Sequence, residues 1–287
     1  MKSTYILIDG SYYIFYRYYA LIQWWKRSNP EKPLGIPIEN PEFVAKFKKL
    51  FVSRLDEIAK KLKIANPIYI IAKDCPRKRI WRNDLMEKYK GTRKYETDPT
   101  KDPSPFFRLV YREPLFLKPT VEHPFLEADD CIALIIKRLK TPTSEFYIIA
   151  NDHDYLQITD TNVHIYNLQF KHIWTSDPKK SLFLKCVLGD KSDNIKGIFH
   201  RCGKKTAEKY YDDPTLFSSQ CDTKNAHAQY QLNKTLIDFA NIPETYANEF
   251  YATYTSMFNG GETSDGGETL NGGETLNGGE TFGGASC

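Results

Sequence analysis

Long apolar runs are missing from this 287-residue chain. No stretch approaches the roughly 18–20 residues that a membrane-spanning helix needs. The amino terminus, Met1 to Asp9, carries no secretory signal, because its apolar run meets an acid within a few residues. A soluble, intracellular protein is expected. Cysteine is sparse, six in all at 75, 131, 186, 202, 221 and 287, with no C-x-x-C pair and no histidine at zinc spacing. That argues against a structural zinc and predicts reduced thiols. Basic residues are absent from Asn259 onward, where five acids stand: Glu262, Asp265, Glu268, Glu274 and Glu280. Removing that −5 from the whole-chain +4 leaves +9 on residues 1–258, a body suited to a polyanionic partner.

What is present excludes disorder along the whole length: 19 Tyr, 17 Phe and 4 Trp demand burial. The tail is a tandem repeat, GGETSD-GGETLN-GGETLN-GGETF, too rich in glycine and too poor in apolar side chains to offset its ordering entropy. Disorder is expected over 259–287. Within the body, apolar strand-like runs keep ending in acids. Tyr5 to Ile8 stops at Asp9, Pro67 to Ala72 stops before Asp74, and Phe146 to Ala150 stops before Asp152. Between them, Pro41 to Lys63 places apolar residues at Phe43, Phe47, Leu50, Phe51, Leu55, Ile58 and Leu62, close to a helical period, and Ala128 to Leu139 reads as another helix. Such alternation predicts an α/β fold with a central, mostly parallel sheet flanked by helices, buried on both faces. Acids at the carboxyl ends of its strands converge on one crevice.

Nine acids fall in compact groups: Asp9; Asp74; Glu127, Asp129 and Asp130; Asp152 and Asp154; Asp190 and Asp193. Helix-start chemistry accounts for one or two acids at Glu127–Asp130, not for three of four ahead of an apolar helix. In Asn151-Asp152-His153-Asp154 an extended backbone would point both acids to one side, although a solvated turn has the same spacing. Gly189 to Asn194 alone reads as a polar loop. So many carboxylates in one crevice would resist ionising together unless cations were bound. All-oxygen ligation selects Mg²⁺ or Mn²⁺, and two such ions about 4 Å apart serve phosphodiester hydrolysis. A basic body with an acid-lined crevice reads as a nuclease.

At this point the residues resemble the 5′-nuclease superfamily: flap endonucleases, phage 5′-exonucleases and the 5′-nuclease domain of bacterial DNA polymerases. The motifs are Leu7-Ile8-Asp9-Gly10-Ser11; Asp74 followed by Arg82 and Tyr89-Lys90-Gly91-Thr92-Arg93; Glu127-Ala128-Asp129-Asp130; Asp152 to Gln157; and Gly189 to Ile195, leading into Gly203-Lys204-Lys205-Thr206-Ala207. Five in order cover nearly all of 1–258. The resemblance implies that Asp9, Asp74, Glu127 and Asp129 hold a first metal, with Asp130 between or beside both sites. Asp152, Asp154, Asp190 and Asp193 would hold or neighbour a second. Lys90 and Arg82 match the residues that contact the scissile phosphate, and Tyr89 and Arg93 belong to the same DNA-facing block. Among the aromatics after Asp9, Tyr12 is the one expected to stack on a base; packing is expected for the others.

The resemblance divides the chain into a nuclease core over 1–180, including a helical arch at about 82–125, and a helix–three-turn–helix duplex-binding region over 181–258. Six prolines between 94 and 125 argue against one long arch helix and leave a short one around Phe106–Tyr111 on flexible supports, ordering on substrate. Gly203, Lys204, Lys205 and Thr206 form a phosphate site at a helix start. The preceding loop departs from the family pattern, being about one residue longer with Arg201 near the middle glycine. The potassium ion of the family's motif is therefore in question here, and no ligands for it are named. The expectation is a monomeric, two-metal 5′→3′ exonuclease and flap endonuclease acting on DNA with a 5′ single-stranded flap or a duplex end, in replication or repair. Two alternatives stay open: a structure-selective DNA-binding protein with weak or lost cleavage, and a nuclease directed mainly at RNA or RNA–DNA hybrids.

Overall fold

The computed structural model describes residues 3–92 and 96–259. Arg93 and the repeat tail from 260 onward lie outside the described residues. In chain order the elements are β1 (Thr4–Asp9), α1 (Gly10–Ser28), α2 (Pro41–Leu62), β2 (Ile68–Ala72), α3 (Ser104–Arg112), β3 (Thr120–Val121), α4 (Ala128–Leu139), β4 (Glu145–Ile149), β5 (Val163–Tyr166), β6 (His172–Ile173), α5 (Pro178–Leu188), α6 (Lys204–Asp212), α7 (Pro214–Lys224), α8 (His227–Ile237), α9 (Glu244–Thr253) and α10 (Thr255–Asn259). Among the described residues four strand pairings are parallel and β5–β6 is antiparallel, in the order β3-β2-β1-β4-β5-β6. The expected α/β architecture is what the chain adopts. No helix among the described residues is long and apolar enough to cross a membrane.

Burial of β1 on both faces explains its unbroken apolar run. Leu7, paired with Ile70 and Ile148, faces α4 and the C-terminal helices α9 and α10. Ile6 and Ile8 point the other way, into a cluster with α1, α2 and α3. The chain crosses from the β2 side to the β4 side at β1, so the switch point of the sheet lies between β1 and β4, where strand ends open a crevice. Gly10 lets α1 start against the neighbouring strand: a Cβ there would stand 2.8 Å from the Ala72 carbonyl oxygen.

One expectation meets a different structure. The helix expected on flexible supports is α3, and it is anchored in the core: Phe106, Leu109 and Val110 recur at helical spacing and are buried, with Phe106 against Tyr18, Phe43 and Phe47. Residue 180 lies in the first turn of α5, whose Cys186 shares one buried cluster with Ile80, Tyr89, Leu236 and Ile237.

Candidate metal centre

The acids reach the crevice by three local devices. Asp9 closes β1 and caps α1, accepting from the Tyr12 amide at 2.9 Å. Asp74 lies two residues beyond β2 and is held at both oxygens, by the Ala128 amide at 2.8 Å and by the Ser11 hydroxyl. Glu127 caps α4 in a reciprocal box with Asp130, which points Asp129 toward the strand ends. Asp9, Asp74, Glu127, Asp129 and Asp152 line one crevice of about 340 Å³ together with Tyr12, Phe15 and Lys90. A second group, Asp154, Asp190 and Asp193, brings ligand oxygens within 4.8 Å of one another. Gly189, at φ 74°, makes the turn that pairs Asp190 with Ile195 and sets Asp190 beside Asp193.

Asp152 and Asp154 part company. Asp152 is the last extended residue and accepts from the Asp154 amide at 2.9 Å, opening a 3-10 turn over His153–Ile158. The turn, rather than an extended strand, sends Asp152 into the first crevice and Asp154 to the second group. Asp152 still feels Asp193 and Asp190, so it stands between the groups.

Burial dominates the electrostatics of these acids. Burial, then Asp74, pushes Asp9 up to about 7. Asp129 rises well above the usual carboxylate range through burial and its neighbours Glu127 and Asp130. Burial also raises Glu127 and Asp152, against the pull of Lys90 and Arg82 on the first and of Lys185 on the second. Acids of this kind gain most from a bound cation. Cys75 lines the same crevice, where burial pushes its thiol up to about 12, and the acids around it offer oxygen donors. That set fits a hard divalent ion.

Three residues sit differently from their sequence expectation. Arg82 is buried, with Nε donating to the Leu236 carbonyl at 2.7 Å and the terminal nitrogens donating to Asp130 at 2.8 and 2.7 Å and to Glu127 at 3.2 Å. Asp130 is correspondingly engaged, since its Oδ2 also takes Trp81 Nε1 at 3.0 Å and the Glu127 amide at 3.1 Å. It lies close enough to Glu127 and Asp129 to share an ion geometrically, with Oδ2 filled by three donors and Oδ1 taking Arg82 alone. Tyr89 is buried, and its hydroxyl bridges Glu127 and Asp193 at 3.0 Å each, so it joins the two acid groups instead of facing outward.

Lys90 is in the crevice. Its backbone takes φ 53°, its amide donates to the Asp193 carbonyl at 3.0 Å, and its ammonium meets Glu127 and lies 3.7 Å from Asp193. Tyr12 is on the rim, half-buried, with its hydroxyl accepting from the Leu168 amide at 3.0 Å. Gly203, Lys204, Lys205 and Thr206 are exposed at the start of α6 and are not part of the crevice wall. Sequence reasoning missed Ser11, which holds Asp74, and Lys185, which pairs with Asp154 and with Asp190 at 2.7 Å. Phe15, expected to pack, is exposed instead, and Tyr19 and, against Phe15 at 4.7 Å, Phe107 were missed.

Residues 4–183 match the family model of the 5′-3′ exonuclease N-terminal resolvase-like domain. The chain belongs to this family. It is 31% identical over 212 residues to the 5′-3′ exonuclease of Buchnera aphidicola subsp. Acyrthosiphon pisum, covering 70% of this chain and 68% of that one. It is 28% identical over 233 residues to DNA polymerase I of Rhizobium leguminosarum, where the match takes in 76% of this chain but spans only 22% of the polymerase. Among solved structures, the bacteriophage T5 flap endonuclease in complex with DNA and metal ions shares the fold, with a TM-score of 0.65 at 16% identity, covering 89% and 99% of the two chains. So does T5 5′-exonuclease with bound zinc, with a TM-score of 0.64 at 17% identity, covering 89% and 99%.

Proposed function

We propose that this chain is a divalent-metal-dependent 5′-nuclease that hydrolyses DNA phosphodiesters at the junction of a single strand and a duplex, with exonucleolytic and flap-endonucleolytic modes, in primer or flap removal. One observation carries the reading: five acids from separate strand ends and a helix start line one crevice, and burial and their neighbours push Asp9 and Asp129 toward protonation. Asp9, Asp74, Glu127, Asp129 and Asp152 would hold one Mg²⁺ or Mn²⁺ ion, and Asp154, Asp190 and Asp193 a second. Bound there, these ions would supply Lewis acidity to the phosphodiester and to the attacking water.

The remaining work falls to the chain's own groups. Lys90, the cation in the wall beside Glu127, is placed to leave that acid for the scissile phosphate and offset the charge that grows on it. Arg82 is a positioning residue that fixes Asp130 and Glu127. A cleft of about 1390 Å³ adjoins the crevice and shares Phe15, Asp74, Cys75 and Arg77 with it. Phe15, Tyr19 and Phe107 offer ring faces to unpaired bases there, and Lys73, Arg77, Arg79 and Arg108 offer charge to the backbone. The open first turn of α6, with Lys204 and Lys205, suits the phosphates of the duplex arm. In this reading residues from about 82 to 125 border the single-strand path, and 181–258 grip the duplex.

Cleavage of a 5′-labelled flap–duplex junction with Mg²⁺ tests this, beside Asp129→Asn and Lys90→Ala. The wild type should cut near the junction, while Asp129→Asn binds the same DNA without cutting. A wild type that binds in Mg²⁺ and releases no product would overturn the nuclease reading in favour of a structure-selective binding protein. Replacing the 5′ strand by RNA in the same assay ranks the two substrates.

A further inference from the structure

We infer that Lys185 is the resident cation of the second acid group, so that its ammonium must move out before a second divalent ion enters, which makes that ion bind far more weakly than the first. The inference rests on the metal-centre reading above and deepens it. Lys185 lies in the last turn of α5, and its ammonium touches one oxygen of Asp154 and lies 2.7 Å from Oδ2 of Asp190. These are two of the three acids whose ligand oxygens, with Asp193, gather within 4.8 Å. A positive charge therefore stands where a divalent ion would collect its ligands. The other oxygen of Asp190 is already committed, to the Ser192 amide at 2.7 Å and its hydroxyl at 2.6 Å, so the oxygen left for a metal is the one Lys185 holds.

The lysine is built to leave. Its side chain is 21% exposed, on a four-carbon stem with rotatable bonds, whereas the Arg82 guanidinium is locked by four acceptor contacts and is 2% exposed. The three carboxylates face the Lys185 ammonium at Asp154 and Asp190 and, at 3.7 Å from Asp193, the Lys90 ammonium that Glu127 shares, so the group stays net negative and open to a divalent ion. The first crevice would load at low metal concentration, and the second only when a competing charge, such as a divalent ion in excess, displaces the lysine.

Titration with Mn²⁺ in the absence of DNA, followed by calorimetry and by the electron paramagnetic resonance signal of free Mn²⁺, tests this on the full chain. The wild type should show one tight and one weak ion. Lys185→Met, which keeps the stem and removes the charge, should tighten the weak ion about tenfold and leave the tight one unchanged. Lys185→Arg, which keeps the charge, should leave the weak ion weak. A Lys185→Met protein, folded by circular dichroism, in which the second ion is no tighter or is lost would overturn the inference and make Lys185 a support for the acids. A wild type that binds no Mn²⁺ at all would instead sink the metal centre on which the inference stands.

Discussion

Asp129→Asn should make the metal-free protein more stable, not less. The substitution keeps shape and volume, and the acceptor that Asp129 offers to the Asp130 amide at 2.7 Å survives in the amide oxygen. What disappears, once the pH is high enough to ionise this raised acid, is a charge whose nearest oxygens lie within 4.8 Å of those of Glu127 and Asp130. A like pair at that separation repels by about 3–4 kcal/mol at an effective dielectric near 20. Arg82 cancels most of the Asp130 contribution through its two short bonds, and Lys90 offsets part of the Glu127 contribution. A net gain of about 1–2 kcal/mol remains, which is roughly 2–8 °C in the unfolding midpoint for a domain of this size. Saturating Mn²⁺ should reverse the order, since a ligand at a hundred times its dissociation constant adds about 2.7 kcal/mol to a protein that binds it and less to one missing a ligand oxygen. The assay is thermal unfolding by circular dichroism in EDTA and in excess Mn²⁺. Melting curves that do not cross, with the variant below wild type in EDTA, would show that Asp129 is held by interactions other than the crowded acids, and the reasoning would fail.

Three further outcomes follow from the same geometry. Asp9, raised to about 7, contributes stability to the metal-free protein that is fully present below its ordinary value near 4 and is lost as pH rises through 7. The rise in melting temperature on adding Mn²⁺ should therefore be larger at pH 8 than at pH 6, and an equal rise at both would contradict the assignment. Arg82→Ala should destabilise the fold by about 3–5 kcal/mol, because it strands a buried Asp130 carboxylate, and urea unfolding would read this directly. Phe107→Ala, at a half-buried ring against Phe15, should weaken binding of a single-stranded oligonucleotide by about 1–3 kcal/mol while leaving blunt duplex affinity unchanged. Equal loss on both substrates, measured by anisotropy, would remove that ring from the single-strand path.

The parts of the site that were legible in the sequence are those fixed locally. Asp9, Asp74 and Asp152 follow apolar strands of a parallel sheet, and such strands must end at one rim, so their convergence is a property of pattern. The anchoring of α3 was there to be read in the spacing of Phe106, Leu109 and Val110, but the surrounding prolines suggested flexibility instead. What was not legible depends on partners far along the chain. Arg82 looks like any basic residue near a DNA-facing block until the fold brings Asp130, 48 residues away, and the Leu236 carbonyl, 154 residues away, to its guanidinium. Tyr89 is diverted in the same way by Asp193, 104 residues away. Lys185 carries no local signal among the three lysines of α5, and only the turn at Gly189 folds Asp190 back onto it.

The Arg82 guanidinium has a consequence for how this molecule can be cut and joined. Its four contacts stitch α4, which carries the first acid group, to the end of α8, far beyond the stretch that holds the nuclease motifs. A fragment ending near residue 183 would leave Nε without its acceptor, would lack Asp190 and Asp193, and would remove the helix against which Tyr89 and Ile80 pack. Recombination or engineering that treats the front of the chain as a portable cutting module would thus break the seam at its most buried stitch. A unit that travels between proteins with its acids in place runs from β1 past the end of α8, and takes α9 and α10 with it to cover the α4 face of the sheet.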